Sequence, residues 1–395
     1  MKRQDRAIIL LAVGQTLAWA GIYYVFPALL LRWEETLGWT KAELTGALTL
    51  AIAVSAILSP FTGRIIDSGR GPALMGGSAV LGGLGLLALS QVQALWQFYT
   101  IWLVIGAAMA GGLYEPCFAI VTRNKGDKAR GGIIFITLIA GFASTISFPT
   151  VHYLAEGMGW RNTLLIFGLI EILAVAPILG LGARRLEKTG DHAGIAPSPP
   201  QTGVFRSLLR TPAYWYLAAG FASVALVHGA TLHHLLPLLN ERGLSLEFAV
   251  LIASLIGPMQ VAGRIAMTAT LRFASNHRIA LCAFTTIGLS MLILLAAGTA
   301  QPAIVVFVLL FASAYGTISI LRPVIARETL GGQNFGAISG ALALPYLAGS
   351  ASAPYLGSLI WAAGGYGLML TICTAMTILG LGFYILARKA DRIQR

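Results

Sequence analysis

The chain has 395 residues, of which 57% are hydrophobic and only 11% charged, and its mean hydropathy is +0.78. A soluble domain of that size cannot hide so much apolar surface, so the bilayer must serve as solvent for much of it. A net charge of +12 does not call for nucleic acid, because the Lys and Arg residues fall between the apolar runs, as the positive-inside rule expects. Cys117, Cys282 and Cys373 sit in apolar runs without paired spacing, which excludes a disulfide framework and a local CxxC-type metal site. No metal or other cofactor is expected, and no ATP-binding G-x-x-x-x-G-K-[ST] loop occurs.

At about 20 apolar residues per crossing, the sequence predicts an all-α membrane protein with twelve transmembrane helices. The first six are expected near 7–31, 44–66, 72–91, 95–122, 131–154 and 160–182. The second six are expected near 212–239, 246–271, 278–299, 302–325, 335–360 and 364–387. The opening MKRQDR and its apolar run imitate a secretion signal, but the run lacks a small-residue cleavage pattern and reads as a retained first helix. The polar, Pro- and Gly-bearing stretch 183–211 reads as a linker. It divides the chain into an N-terminal six-helix bundle, 1–182, and a C-terminal one, 212–395.

In chain order, span one carries Tyr23 and Tyr24. Span two exits through SPFTGRIIDSGRGP, with Gly63, Arg64, Asp67 and Arg70. Span four carries Tyr114 and Glu115 followed by Pro116, which removes a backbone donor and is expected to kink the helix. Glu115 and Glu171, in span six, are the two acids well inside spans. Span seven carries His228, His233 and His234. At helical spacing 228 and 233 are near one and a half turns apart, while 233 and 234 point about 100° apart, so the three cannot share one face. Span eight contains Gln260 and, one turn later, Arg264. A guanidinium does not deprotonate in protein, so Arg264 needs an anion, water or backbone carbonyls around it. Tyr315 and Tyr346 lie in spans ten and eleven.

Of the 27 Lys and Arg residues, 22 fall on one side if the N-terminus is cytoplasmic, Arg322 among them. Arg32, Lys41, Arg161 and Arg242 fall on the other, leaving Arg264 alone inside the apolar segments. That bias predicts cytoplasmic termini and linker, in a bacterial cytoplasmic (inner) membrane.

The exit of span two, with Gly63, Asp67 and Arg70, resembles the loop signature G-x-x-x-D-R-x-G-R of the major facilitator superfamily, with Ser68 in place of its usual Arg. A second copy appears in span eight, where Gly263 and Arg264 keep the spacing but Thr268 and Arg272 replace Gly and Asp. The resemblance implies two pseudo-symmetric six-helix bundles working by alternating access. Gly63, Arg64, Asp67 and Arg70 would form a conformational latch, Gly63 by close helix approach and Asp67 by capping or salt-bridging a neighbouring helix end.

The span-eight arginine resembles that of monocarboxylate and oxalate–formate carriers, where it binds a substrate carboxylate. This implies a secondary transporter, not an enzyme, moving a small organic anion, with Arg264, Gln260, Tyr114, Tyr24, Tyr346 and Tyr315 as substrate contacts. A single cation, with no lysine in span eleven, suits a monocarboxylate better than a dianion. Glu115, which would pair with Arg264 or carry a proton, and His233, His234 or His228 are the proton-coupling candidates, whereas Glu171 reads as structural. The expected partners are the anion, protons and the lipid bilayer, with no nucleic acid, and the chain is expected to be a monomer. The alternatives are an efflux pump for drugs, arsenicals or other toxic metabolites, with Cys117 engaging a soft ligand, and a non-transporting membrane sensor.

Overall fold

The computed structural model describes residues 3–126, 129–189, 208–331 and 335–394. Most of the expected linker, residues 190–207, lies outside them, as do Lys2, Lys128 and Arg206. The described residues are helical, with no strand among them. They form ten helices long and apolar enough to cross a membrane. Two of these, Ala129–Lys188 and Gly340–Ala390, are far longer than one crossing of about 30 Å requires at 1.5 Å per residue. Each is broken where the sequence reading separates two spans. Gly159 stands at φ 83° in the first, and Gly364 and Gly365 leave helical geometry in the second. The ten long helices thus carry twelve crossings.

By contacts the chain divides into two compact units, Met1–Ser198 and Pro199–Arg395. The first contains α1 (Arg3–Ala18), a five-residue π segment (Trp19–Tyr23), α2 (Val25–Leu37), α3 (Lys41–Asp67), α4 (Gly71–Leu89), α5 (Leu95–Gly112) and α6 (Tyr114–Lys125). It continues with α7 (Ala129–Ala140), α8 (Ala143–Ile170), a second π segment (Glu171–Val175) and α9 (Ala176–Thr189). The second unit contains α10 (Pro212–Glu241), α11 (Leu246–Thr270), α12 (Asn276–Ala296), α13 (Gln301–Leu330) and α14 (Phe335–Gln394).

Local chemistry sets the boundaries. Gly38, in the left-handed region at φ 69°, ends α2, and Thr40 opens α3 through a reciprocal capping box with Glu43. Ser245 and Ser275 accept hydrogen bonds from backbone N–H groups at the starts of α11 and α12. Each unit then has very close helix crossings built on glycine, of which one in each positions candidate residues. In the first, a methyl on Gly106 of α5 would collide with the backbone of Ala51 in α3. In the second, Gly263 of α11 lies against the Ser313 carbonyl of α13, and Gly316 of α13 lies against the Gln260 carbonyl of α11. Thr317 ties this crossing with a hydrogen bond from its hydroxyl to the Gly263 carbonyl, at 3.1 Å. In a bilayer, such backbone contact replaces the hydrophobic force that lipid cannot supply. It also fixes where Gln260 and Arg264 emerge.

Candidate functional site

The first unit's candidate residues gather around a break in span four. The sequence reading had one helix over 95–122. The structure interrupts it at Leu113, whose extended backbone (φ −89°, ψ −153°) separates α5 from α6. Pro116 explains the interruption, because it has no N–H to offer the carbonyl four residues back, that of Gly112. The side chain of Gln15, fully buried on α1, donates to that carbonyl instead, at 2.7 Å.

The break moves Glu115 out of a helix interior and into the first turn of α6, where it is exposed. The expectation of a desolvated mid-span acid is therefore corrected. The carboxylate stands where the unpaired amides of a helix start favour negative charge. Tyr114 is half-buried, stacked on Phe118 at 4.9 Å and packed on Trp19 at 4.8 Å. Trp19 opens the π segment, in which the N–H of Tyr24 reaches back to the Trp19 carbonyl. Tyr24 packs edge-on against Tyr23 at 5.4 Å and Phe148 at 6.0 Å. Single-turn π segments inside α-helices recur at functional positions. Tyr24 and Tyr114 are thus joined through Trp19 in one aromatic patch.

Glu171 opens the other π segment and is 1% exposed. Its carboxyl packs against Gly21 and has no hydrogen-bond partner among the described residues. Cys117 is wholly buried in the first unit's core, so its thiol is not presented to a soft ligand as the arsenical alternative required.

The latch residues are placed differently from the expectation. A methyl on Gly63 would meet nothing within 4 Å, so Gly63 is not a point of close helix approach. Asp67 is exposed and forms no ion pair among the described residues. Arg64 stacks over Phe61 at 5.5 Å. The contact that ties span ends together comes from Arg123 at the end of α6. Its guanidinium donates to the Ile66 carbonyl at the end of α3 and lies 3.9 Å from Glu187 of α9. Arg70 lines a cavity of about 1040 Å³ beside these residues. A glycine–aspartate motif directed attention to α3, whereas the cation that caps its last carbonyls lies 57 residues further on, a relation no local spacing displays.

In the second unit, a continuous polar and aromatic chain crosses four helices. The Gln260 amide of α11 donates to Nε2 of His228 on α10, at 3.4 Å. His228 stacks face to face on Tyr315 of α13, with ring centroids 3.4 Å apart and planes 5° from parallel. The Tyr315 hydroxyl lies 2.6 Å from that of Tyr346 on α14. The Tyr346 ring carries the guanidinium of Arg322 at 3.9 Å. Arg264 is 9% exposed and lies one helical turn beyond Gln260 on α11. The structure thus joins Gln260, His228, Tyr315 and Tyr346, four residues singled out from the sequence, and adds Arg322, which the charge count had assigned to the cytoplasmic surface.

The other two histidines leave this chain. His233 donates through Nδ1 to the Gly229 carbonyl one turn back, at 2.7 Å. His234 is wholly buried against α14, its Nε2 donating to the Pro354 carbonyl at 2.9 Å and its Nδ1 lying 3.3 Å from the Tyr366 hydroxyl. Gly357 leaves the space that the ring occupies. His234 therefore fastens α10 to α14. Among the described residues no group of three or more His, Cys, Asp or Glu side chains could hold a metal ion.

Long apolar helices in two units, close glycine crossings and polar side chains strung between helices define a polytopic membrane transporter. The family model of the Major Facilitator Superfamily matches residues 11–354, and the chain belongs to that family. It is 27% identical over 199 residues to an MFS-type efflux pump of Mycolicibacterium smegmatis, a match covering 49% of this chain and 45% of that protein. It is 22% identical over 346 residues to the MFS transporter asaE of Aspergillus flavus, covering 86% of this chain and 76% of that one. The fold is similar to crystal structures of a bacterial homolog to the human lysosomal transporter Spinster, at 15% identity. The inward-facing unoccupied form matches with a TM-score of 0.74 over 100% of this chain and 99% of that one. The inward-facing occupied form matches with a TM-score of 0.71 over 99% and 98%.

Proposed function

We propose that this superfamily member is a secondary active transporter that moves a small organic anion by alternating access, with Arg264 as the anchor for a carboxylate group. The bundles 1–182 and 212–395 are the moving parts, joined by the linker 183–211. The observation that carries the reading is the position of Arg264. It is a permanently charged side chain almost wholly shielded from solvent, on a helix held at a glycine crossing and one turn from the Gln260–His228 pair. Gln260, Tyr315 and Tyr346 provide hydrogen bonds and apolar faces in the same unit. One span-eight cation by itself supports a monocarboxylate.

Proton coupling falls to Glu115 and His228. The first is an accessible carboxylate at a broken helix, and the second is an imidazole inside the polar chain. On the same reading both termini face the cytoplasm of a bacterial inner membrane, and the chain works as a monomer. Efflux of a drug or toxic metabolite is the second reading, favoured by the 27% identity to an MFS-type efflux pump.

Proteoliposomes containing wild type or Arg264→Ala separate the two. Carboxylate flux in wild type that collapses in the variant supports the anion reading. Absent carboxylate flux in wild type, or equal flux in both, sinks it and leaves export to be assayed with lipophilic cations.

A further inference from the structure

Arg322 was counted with the cytoplasmic side by the charge bias of the sequence. It lies inside α13, eight residues before the helix ends at Leu330, and directly precedes a helix-interior proline, Pro323. Because α11, α12 and α13 cross in succession with short connections, α11 and α13 run in the same direction. Arg264 and Arg322 both follow the Gly263–Gly316 crossing on their own helices. They therefore lie on the same side of it.

Arg322 is half-buried, and three observations bear on its surroundings. Its guanidinium lies 3.9 Å over the ring of Tyr346, whose hydroxyl continues the chain to Tyr315, His228 and Gln260. Its Nη1 is buried without a hydrogen-bond partner, and it forms no ion pair among the described residues. The next acid on its helix, Glu328, accepts from Asn276 at 2.7 Å and lies 3.6 Å from His277.

The internal repeat supplies a further argument. Glu115–Pro116 is the twenty-first and twenty-second residue of the span that opens at Leu95; Arg322–Pro323 is the twenty-second and twenty-third of the span that opens at Gln301. A charged residue immediately before a proline therefore recurs at matching depth in spans four and ten. Proline-interrupted spans at corresponding positions of two halves are where transporters of this architecture build their binding sites.

We propose that Arg322 is a second anion-binding side chain of the site anchored by Arg264, and that the substrate is a small dicarboxylate carrying one carboxylate for each guanidinium. The proposal rests on the anion reading of Arg264 and replaces the monocarboxylate reading, which depended on counting a single cation. Two permanent cations in one site repel one another, and a dianion neutralises both where a monoanion leaves one uncompensated. The planar guanidinium on its tyrosine platform keeps its outer N–H edge available for a bidentate carboxylate contact.

The test is binding to the purified full chain in nanodiscs at neutral pH, comparing succinate, glutarate and adipate with butyrate, valerate and hexanoate. Wild type is expected to bind at least one dicarboxylate about ten- to a hundredfold more tightly than its matched monocarboxylate, the scale of one charge-assisted contact. Arg322→Gln should erase that preference while leaving monocarboxylate affinity within about twofold, and Arg264→Gln should weaken both classes. Tyr346→Leu, which removes the platform without changing charge, should also reduce the preference and serves if Arg322→Gln does not fold. Absence of a dicarboxylate preference in wild type overturns the proposal and leaves Arg264 as an anchor for monoanions. Equal weakening of both classes by Arg322→Gln, or by Tyr346→Leu in its place, also overturns it, because the arginine then acts through packing. Failure of wild type to bind any of the six removes the anion reading itself.

Discussion

The two units share a repeat and have filled it with opposite chemistry. Around the broken span of the first unit, Trp19, Tyr23, Tyr24, Tyr114 and Phe118 form an aromatic patch with one exposed carboxylate, Glu115. Around the equivalent crossing of the second unit, His228, Gln260, Tyr315, Tyr346 and Arg322 form a chain of polar contacts beside Arg264. The scaffold that produces both is a glycine crossing of the second and fourth helices of each half. In this account the scaffold sets where side chains emerge, and the residues placed on it decide what each half can bind. The second unit carries the buried cation and the polar chain; the first carries the aromatic patch and the exposed carboxylate.

The largest effects should come from the charged side of this contrast. Arg264→Ala is expected to lower carboxylate affinity or flux by about a hundredfold or more, since it removes a desolvated charge partner. A comparable loss from Tyr114→Leu would mean that recognition is shared equally between the units. Next come the crossings. Gly316→Val and Gly106→Val drive side chains into the Gln260 and Ala51 backbones. Each should cost on the order of 1–3 kcal/mol or more and lower the thermal midpoint and the folded yield of the purified protein. Gly63→Ala, with open space around it, should leave both unchanged. A large loss at Gly63 would restore the close-approach role that its motif suggested.

His234→Ala should be somewhat milder, costing about 1–3 kcal/mol through the unpaired Pro354 carbonyl and the vacated space at Gly357. Its transport KM should stay unaltered in the protein that folds, whereas His228→Ala should raise KM or change the pH dependence of flux. Tyr346→Phe should have a smaller effect. Loss of its hydroxyl contact with Tyr315 should weaken anion binding about five- to tenfold, on the scale of one hydrogen bond. Tyr114→Phe, whose ring stacking survives, should change binding less than twofold. Isothermal titration of both variants measures the difference.

Much of this fold was legible in the sequence because the bilayer imposes a strict length on apolar runs. The twelve spans, the kink at Pro116 and the breaks near residues 159 and 364 follow from hydropathy, proline and glycine alone. The second unit's site was also partly legible, since Gln260 and Arg264 share a helical face and an arginine in an apolar run stands out. What sequence could not supply was depth and direction. Arg322 lies close enough to a span end to pass as a cytoplasmic cation, and only its stacking on Tyr346, a residue on another helix, reveals where it belongs. Glu115 differs in the opposite sense. It looked buried by position, but the proline that follows it opens the helix and exposes it. His234 looked titratable by type, yet its three partners lie more than a hundred residues away. The loop motif pointed to the right family but not to the contacts of Gly63 and Asp67, because a motif records residues and not the surface they face.

The most direct test of the central claim is titration of the purified chain with small carboxylates, wild type beside Arg264→Gln, at fixed ionic strength. The account predicts saturable binding in wild type and its loss in a variant whose thermal midpoint is retained. Saturable binding of equal affinity in both proteins would contradict it and return Arg264 to a purely structural role.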